Sequence, residues 1–283
     1  MTITIRTLHS AADMDKAVEL QKVYWGDNMA DIVPAHMLLS ISRYGGHIHA
    51  AFDTDSDDKM VGVLMGFLGA EISPQDNAVA SRALYVMSKR MVVLPEYRGQ
   101  KIGEHLKQAQ RQFAIDHNID LVLWTFDPML SRNAYLNLHK LGGVIQHYEK
   151  DYFGADASNP VLSADRVQLN WWVNHPSLEN RPTYNVAQIP VVNQVSFTEE
   201  GLLDPHDLSV PAGEPVLRLE IPMEFVPLER INPELGSRWR TYLRDAFTTL
   251  LAQGYIATDF TRIEKRVFYI FTQDDGSYTY GHS

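Results

Sequence analysis

The sequence predicts a globular α/β protein with a mixed sheet, and three observations lead to that prediction. Segments with alternating apolar residues, typical of strands, take turns along the chain with segments whose apolar residues recur at helical spacing. Hydrophobic residues make up 45% of the 283 residues and charged residues 21%, which are ordinary values for a folded protein. A chain of this length can bury a substantial core and more often forms two packed units than one.

The charge balance excludes several classes of partner. The chain has 35 acidic and 25 basic side chains, which gives a formal net charge of -10. This charge opposes sequence-independent binding to nucleic-acid backbones and to anionic lipid surfaces. Residues 1–10 lack the continuous apolar run of a signal peptide, and no later segment is long enough to span a bilayer. We therefore expect a soluble, cytoplasmic protein that binds neither nucleic acid nor membrane.

The absence of cysteine excludes further chemistry. With 0 cysteines the chain has no disulfide, no thiolate metal site and no cysteine on which an acyl group could be held. His47 and His49 point to one face of a predicted strand, a spacing that suits metal ligands, but no third ligand is identifiable nearby. We expect no metal.

Strands and helices alternate through the first 174 residues. Ser10 and Asp13 form a predicted capping box that begins the first helix, and Gly45 and Gly46 end the second. Gly142 and Gly143 end the last helix of this part. The predicted strands cover residues 2–8, 47–52, 60–70, 83–94, 121–126, 144–152 and 167–173.

A turn-rich segment predicts a domain boundary. Residues 175–213 are rich in Pro and Asn and have few periodic stretches, so we interpret them as a linker. The predicted domains are therefore 1–174 and a small α/β domain at 214–283. The latter contains a strand at 217–221, an amphipathic helix after Pro233 and a last strand at 266–271.

The segment from Val92 to Gly103 has the composition of an anion-binding turn. It reads as a strand that stops at Pro95, turns and opens a helix, whose first backbone N–H groups have no helical partner. Gly99 and Gly103 allow main chain or ligand to approach closely. Three cations of the same helix are expected to add a positive field, namely Lys101, Lys107 and Arg111. A bound pyrophosphate would fit there.

This segment resembles the central motif of the GNAT acetyltransferases, which reads Arg or Gln, two residues, Gly, one residue, then Gly or Ala. Arg98 and Gly103 match, whereas Lys101 occupies the position that is normally glycine. The resemblance extends to about Asn174 and implies a GNAT-like fold with acyl-coenzyme A as co-substrate. The residues implied to bind its pyrophosphate are Arg98, Gly99, Gln100, Lys101, Ile102 and Gly103. The alternative is a plain strand-turn-helix corner, and the glycine spacing of dinucleotide sites is absent.

The resemblance also implies roles for the strand before the turn. In the family this strand splays from its neighbour and offers backbone groups to the pantetheine arm, which corresponds to Met91, Val92 and Val93. The N–H of Met91 would face the thioester carbonyl and stabilise the charge that develops there in the transition state.

A second family motif is only partly present. The helix after the next strand normally reads Asn-x-x-Ala-x-x-x-Tyr, and Ser131, Ala134 and Leu138 stand at those three positions. Asn133 and Tyr135 lie nearby, and we place Asn133 with the coenzyme-binding residues. In the family the tyrosine often protonates the departing thiolate. The resemblance implies that role for Tyr135, which lies one turn before Leu138, the alternative being a packing role.

The sequence names no general base. Residues 85–94 contain no carboxylate or histidine, and Glu71 and Glu96 are candidates that are more often exposed charges. An α-amine, with a free pKa of about 8, needs less help than a lysine side chain at about 10.4. The missing base therefore favours a small amino compound as acceptor.

The predicted function is transfer of an acetyl or succinyl group from acyl-coenzyme A to a primary amine by direct attack. The rival hypothesis is a coenzyme A-binding regulatory or scaffold protein, which the absent tyrosine and base would equally permit. The second half of the chain is expected to shape the acceptor side or an oligomer contact such as a homodimer.

Overall fold

A computed structural model describes residues 1–72, 79–154 and 165–280. The chain divides into two compact units, Met1–Trp124 and Thr125–Ser283. Both contain helices and strands, which confirms the predicted α/β class with a mixed sheet. No helix in these described ranges is long and apolar enough to cross a membrane.

The first unit is built on one sheet. Strands β1 to β4 pair antiparallel in sequence order, and β5 joins β4 in parallel orientation. A parallel neighbour needs a crossover, which is a helix here. The strands are β1 (Ile3–Thr7), β2 (His47–Asp53), β3 (Lys59–Ile72), β4 (Val79–Val93) and β5 (Leu121–Phe126), and the helices are α1 (Ala11–Trp25), α2 (Ala35–Arg43) and α3 (Ile102–Asp116).

The predicted start of α1 is confirmed. The side chain of Ser10 accepts a hydrogen bond from the N–H of Asp13, and its hydroxyl donates to the Asp13 carboxylate at 2.6 Å. Helix α1 buries Met14, Ala17 and Leu20, which recur at helical spacing. The helix therefore ends up with one apolar face in the core of the first unit.

Strand β2 lies in the middle of that core. All seven of its residues are buried, and so its side chains are covered on both faces of the sheet. Apolar side chains of β3, α1, α2 and α3 pack in the same cluster. At roughly 25 cal/mol for each Å² of buried apolar surface, this cluster is the main stabilising feature of the first unit.

The second unit is also built on paired strands. Strand β6 pairs with β7 and β11, and β12 pairs with β11 and β10. A separate hairpin joins β8 to β9. The strands are β6 (Val144–Glu149), β7 (Arg166–Trp172), β8 (Asn193–Phe197), β9 (Leu203–Leu208), β10 (Val216–Ile221), β11 (Tyr255–Ile263) and β12 (Arg266–Gln273), and the helices are α4 (Ser131–Ala134), α5 (Phe225–Ile231) and α6 (Pro233–Ala252).

The helix predicted after Pro233 is present as α6. The Asn232 side chain caps it by accepting from the N–H of Leu235 at 3.0 Å, and the proline occupies the first turn, where no N–H is needed. Trp239 is fully buried, and its indole N–H donates to the Leu203 carbonyl at 2.7 Å.

Strand β11 and the hairpin of β8 and β9 were not predicted. A register shift between Ala257 and Asp259 interrupts the alternation of β11, as a bulge does. The hairpin lies in the segment expected to be a linker, where turn-forming residues obscure the strand pattern. Ala257 of β11 pairs with Ile145 of β6. The limits 1–174, 175–213 and 214–283 remain sequence-based predictions.

Candidate functional site

Strand β4 separates from β5 halfway along its length. The two strands pair at three positions only, Tyr85–Met87 with Leu121–Leu123. From Ser88 to Val93 the described part of the chain provides no pairing partner on this side, whereas pairing with β3 continues to Val93. Backbone groups on this edge of β4 therefore face a gap between the strands. Met91, Val92 and Val93 lie in this separated stretch, where the family resemblance expects the pantetheine arm.

The separated stretch also contains a bulge. Pairing with β3 shifts register between Arg90 and Ser88, which leaves Lys89 as an additional residue. A bulge bends its strand and increases the local twist. The bend lies at the start of the gap, so it directs β4 away from β5.

The turn after β4 is fixed to the sheet. The N–H of Leu94 donates to the Val61 carbonyl at 2.9 Å, and a short 3-10 helix, Pro95–Tyr97, follows. The Tyr97 hydroxyl donates to the Asp53 carboxylate at 3.0 Å. Glu96, one of the two candidate bases, is exposed and pairs with Lys59 at 3.2 Å. Glu96 is therefore an ordinary surface charge, and the side chain of Glu71 lies outside what the structure describes.

Lys101 takes the backbone conformation that the family motif gives to glycine. Its φ is 60° and its ψ is 11°, a left-handed conformation that costs a residue with a side chain about 1 kcal/mol. Gly99 has a φ of 82° two residues earlier. The turn therefore keeps a glycine-type shape although lysine occupies the position.

Helix α3 begins without a side-chain cap. Lys101 is its N-cap residue and provides no capping hydrogen bond, while its carbonyl accepts from the N–H of His105 at 3.0 Å. The N–H groups at the first helical positions point out of the helix end, where an anion is favoured. A Cβ atom on Gly103 would lie 3.2 Å from Cε of Met91, so this helix end is packed against the separated part of β4.

The cations near this turn divide into two groups. Arg98 and Lys101 are exposed at the turn, and the Arg98 guanidinium lies 5.8 Å from the ring centre of Tyr24. Lys107 is buried instead, with its Nζ atom 2.8 Å from Oγ of Ser88. The expectation that Lys107 adds to a positive field at the turn is therefore wrong, because its side chain points into the core.

Lys107 was misassigned because it lies on the buried face of α3. The buried residues of α3 are Ile102, Leu106, Lys107, Gln110 and Ala114. A lysine and a glutamine on the apolar side of a helix are the signal that could have revealed this polar cluster, since such residues are seldom fully buried.

Two buried histidines extend the polar cluster. Nε2 of His47 lies 2.8 Å from Nε2 of Gln110, and Nδ1 of His49 lies 3.1 Å from Oγ1 of Thr7. Burial lowers the pKa of His47 to about 2 and that of His49 to about 4. Both rings are therefore neutral at pH 7. No group of three metal-ligating side chains occurs in the ranges that the structure describes.

These histidines predict a pH-dependent stability. The unfolded chain takes up protons near pH 6.5, and the folded chain does so only at lower pH because both pKa values are lowered. The free energy of unfolding should therefore have its full value above pH 6.5. Between pH 6.5 and 5 it should fall by about 2 kcal/mol for each histidine. Urea unfolding at several pH values measures this slope. The variant His49→Gln should make the dependence of stability on pH less steep by the share of His49. The variant His105→Gln changes an exposed histidine and should leave the dependence unchanged. Equal slopes in all three proteins would contradict the prediction.

The remaining predicted residues belong to the second unit. Tyr135 is 38% exposed and stacks on His139 with 4.8 Å between ring centres. Asn133 is exposed on α4. Ser131 does not cap this helix, because Leu130 is the N-cap residue and the Ser131 hydroxyl donates to the Met223 carbonyl. The roles of Tyr135 and Asn133 stay predictions.

The sequence also missed a π-helix at Tyr135–Lys140, which continues α4. π-Helical turns are frequent at functional sites. Here the turn places Nδ1 of His139 3.0 Å from Oδ1 of Asp259. No signal in the sequence could have found this pair, since Asp259 follows the irregular point of the unpredicted strand β11.

Comparison with known proteins finds a family model that matches part of the chain. Residues 16–142 match the sequence model of the Acetyltransferase (GNAT) family. This range contains β4, the turn and α3. No curated protein gives a significant match.

Solved structures of GNAT enzymes are among those similar to this chain. NAA60 of Arabidopsis thaliana in complex with a bisubstrate analogue is 12% identical, with a TM-score of 0.49, over 61% of this chain and 100% of that one. A GNAT family acetyltransferase from Elizabethkingia anophelis with acetyl-CoA bound is 15% identical, with a TM-score of 0.45, over 60% and 97%. The ribosomal-protein-S18-alanine N-acetyltransferase of Escherichia coli is 12% identical, with a TM-score of 0.46, over 65% and 99%. At these values the likenesses say nothing about the substrate of this chain.

Proposed function

We propose that this chain, whose residues 16–142 form an acyl-coenzyme A-dependent N-acyltransferase domain of the GNAT family, moves an acetyl or succinyl group to the amine of a small amino compound. One observation carries the proposal. The separated stretch of β4, Ser88 to Val93, leads through a fixed turn to the uncapped start of α3. The strand edge offers backbone groups to the pantetheine arm, and the helix end after it favours an anion such as the pyrophosphate. The two parts of acyl-coenzyme A are joined in the same order.

The donor is held mainly by backbone groups. The N–H groups at the start of α3 would bind the pyrophosphate, and Arg98 and Lys101 at the exposed turn would add positive charge. The edge of β4 from Met91 to Val93 would bind the amides of the pantetheine arm as a neighbouring strand would. Backbone binding of this kind explains why the side chains of the stretch need not be polar.

The reaction is direct attack of the amine on the thioester. The nitrogen forms a bond to the carbonyl carbon, the C–S bond breaks, and coenzyme A leaves as thiolate. The Met91 N–H is proposed to stabilise the oxyanion, a contribution of about 3 kcal/mol in other enzymes. Alignment of the two reactants takes the place of covalent catalysis. The chain has no cysteine on which an acyl group could be held.

Proton transfer has two parts in this proposal. The amine must lose its proton before attack, and a small α-amine does so more readily than a lysine side chain. The rate should therefore rise with pH toward the pKa of the amine or of the group that deprotonates it. The hydroxyl of Tyr135 is proposed to protonate the thiolate.

A direct assay tests the proposal. The protein is mixed with acetyl- or succinyl-coenzyme A and a panel of amino acids, polyamines and lysine peptides, while thiol release and intact protein mass are recorded. We expect thiol release with amino acids and no acyl adduct on the protein. Preference for lysine peptides would contradict the small acceptor, and a kinetically competent adduct would contradict direct transfer.

The same assay separates the enzyme from the rival hypothesis. A coenzyme A-binding regulatory protein would bind the donor in calorimetry but release no thiol with any amine. The second half of the chain is proposed to shape the acceptor side or an oligomer contact, and sedimentation of the full chain would distinguish a homodimer from a monomer.

A further inference from the structure

A buried lysine lies at the point where β4 and β5 separate. Ser88 and Trp124 follow directly after the last paired residues of the two strands. Nζ of Lys107 reaches both of them from α3, at 2.8 Å from Oγ of Ser88 and 3.3 Å from the ring centre of Trp124. Lys107 therefore closes the narrow end of the gap.

Lys107 has no negatively charged partner. Its side chain is buried, and its contacts in the described ranges are Ser88, Trp124 and Oε1 of Gln110 at 3.4 Å, none of which is a carboxylate. Burial lowers its pKa well below the usual value, and no acidic group offsets this effect. A fully buried lysine without an acidic partner is rare, because an apolar side chain fills the same space without the cost of desolvating an amine.

The surrounding hydrogen bonds hold the amine in place. Nε2 of Gln110 is 2.8 Å from Nε2 of the neutral His47, so Gln110 donates there and turns Oε1 toward Lys107. Nζ of Lys107 donates to Oε1 of Gln110 and to Oγ of Ser88, and it lies over the ring of Trp124. The amine is therefore fixed by groups that carry no negative charge, and it is available to pair with an anion.

The position matches the far end of a bound acyl group. This step rests on the proposed function, in which the pyrophosphate lies at α3 and the thioester carbonyl at the Met91 N–H, so that the acyl chain points toward Ser88. Ser88 and Met91 pair with Gly66 and Leu64, which are two residues apart on β3, so at about 3.3 Å per residue they lie about 7 Å apart along the strand direction. The hydrogen bond from the Met91 N–H runs across the strand, so only the bond of about 3 Å at the Ser88 end shortens this distance, to about 4 Å. That equals roughly the distance from the first to the fourth carbon of a chain with bonds of about 1.5 Å.

We propose that Ser88 and Lys107 form a specificity site for a short acyl group that ends in a carboxylate, with succinyl-coenzyme A as the preferred donor. The terminal carboxylate provides the negatively charged partner that Lys107 lacks, and it accepts hydrogen bonds from the side chains of Ser88 and Lys107. An acetyl group ends before it reaches them.

Calorimetry provides a test that does not depend on turnover. A carboxylate that pairs with the Lys107 amine makes a charge-assisted contact that an acetyl group lacks, so succinyl-coenzyme A should bind more tightly than acetyl-coenzyme A. Titrations of the wild type with each donor at pH 7.5 measure the two affinities. Equal affinity for the two donors would overturn the proposal.

Substitution gives the second readout. In Lys107→Met, which keeps the volume of the side chain, the ratio of kcat/KM for succinyl- over acetyl-coenzyme A should fall at least 30-fold, and the difference in affinity between the two donors should vanish. Gln108→Met, an exposed position on the same helix, should keep the wild-type ratio. Ser88→Ala should lower the ratio in the same direction and covers the case in which Lys107→Met does not fold. An unchanged ratio in the folded variants would overturn the specificity site. Failure of the wild-type protein to bind either donor would contradict the proposed function itself.

Discussion

Gly103→Glu is expected to lower the affinity for acyl-coenzyme A at least 100-fold. The substitution brings a negative charge to the helix end that is proposed to bind the pyrophosphate, where the partial charge is positive. It also adds a side chain at a position whose Cβ would lie 3.2 Å from Cε of Met91, beside the proposed pantetheine groove. Calorimetric titration with acetyl- and succinyl-coenzyme A measures the loss.

Two further variants separate charge from crowding. Gly103→Ala adds the Cβ without the charge, and the flexible end of Met91 can move by the few tenths of an ångström required, so its loss of affinity should be much smaller. Gln108→Glu adds the same charge at an exposed position of α3 and should bind the donor as the wild type does. If folded Gly103→Glu binds acetyl-coenzyme A with wild-type affinity, the turn is not the coenzyme site.

Tyr135→Phe is expected to lower kcat about 100-fold with little change in donor affinity. The size follows from general acid catalysis, which contributes typically 10²–10⁴-fold, because the proton is needed only as the C–S bond breaks. A parallel fall in kcat and kcat/KM would indicate an interaction made in the transition state. Stopped-flow or steady-state thiol assays at saturating donor provide both constants.

An exposed tyrosine offers the matched control. Tyr44 is 85% exposed, so Tyr44→Phe removes a hydroxyl from the surface and should keep wild-type turnover. The ring of Tyr135 stacks on His139 whether or not it carries the hydroxyl, so Tyr135→Phe should retain the wild-type unfolding midpoint. Wild-type kcat in this variant would leave Tyr135 as a packing residue and remove the only side chain assigned to protonate the thiolate.

The buried polar cluster of the first unit is proposed to link stability to donor choice. His47 and Gln110 fix the orientation of the groups that face Lys107, and burial lowers the pKa of the histidines and of the lysine alike. Stability below pH 6.5 and preference among donors therefore depend on the same part of the core. The variants of His49 and Lys107 measure these two consequences separately.

The sequence by itself determined the elements whose signals are local. Ser10 with Asp13 sets the start of α1, the run from Leu94 to Gly103 sets the turn and the start of α3, and Asn232 with Pro233 sets the start of α6. In each case neighbouring residues supply the cap, the proline or the glycine that the backbone conformation requires, so no distant part of the chain is needed to read them.

The tertiary structure decided what depends on distant residues. It turned Lys107 from an expected contributor to the positive field at the turn into a buried amine between Ser88 and Trp124, and it brought Asp259 to His139. It also paired β11 with β6. The physical reason is the same in each case: which face of a helix is buried and which strands pair follow from packing between segments far apart in the chain, and local periodicity carries no information about either choice.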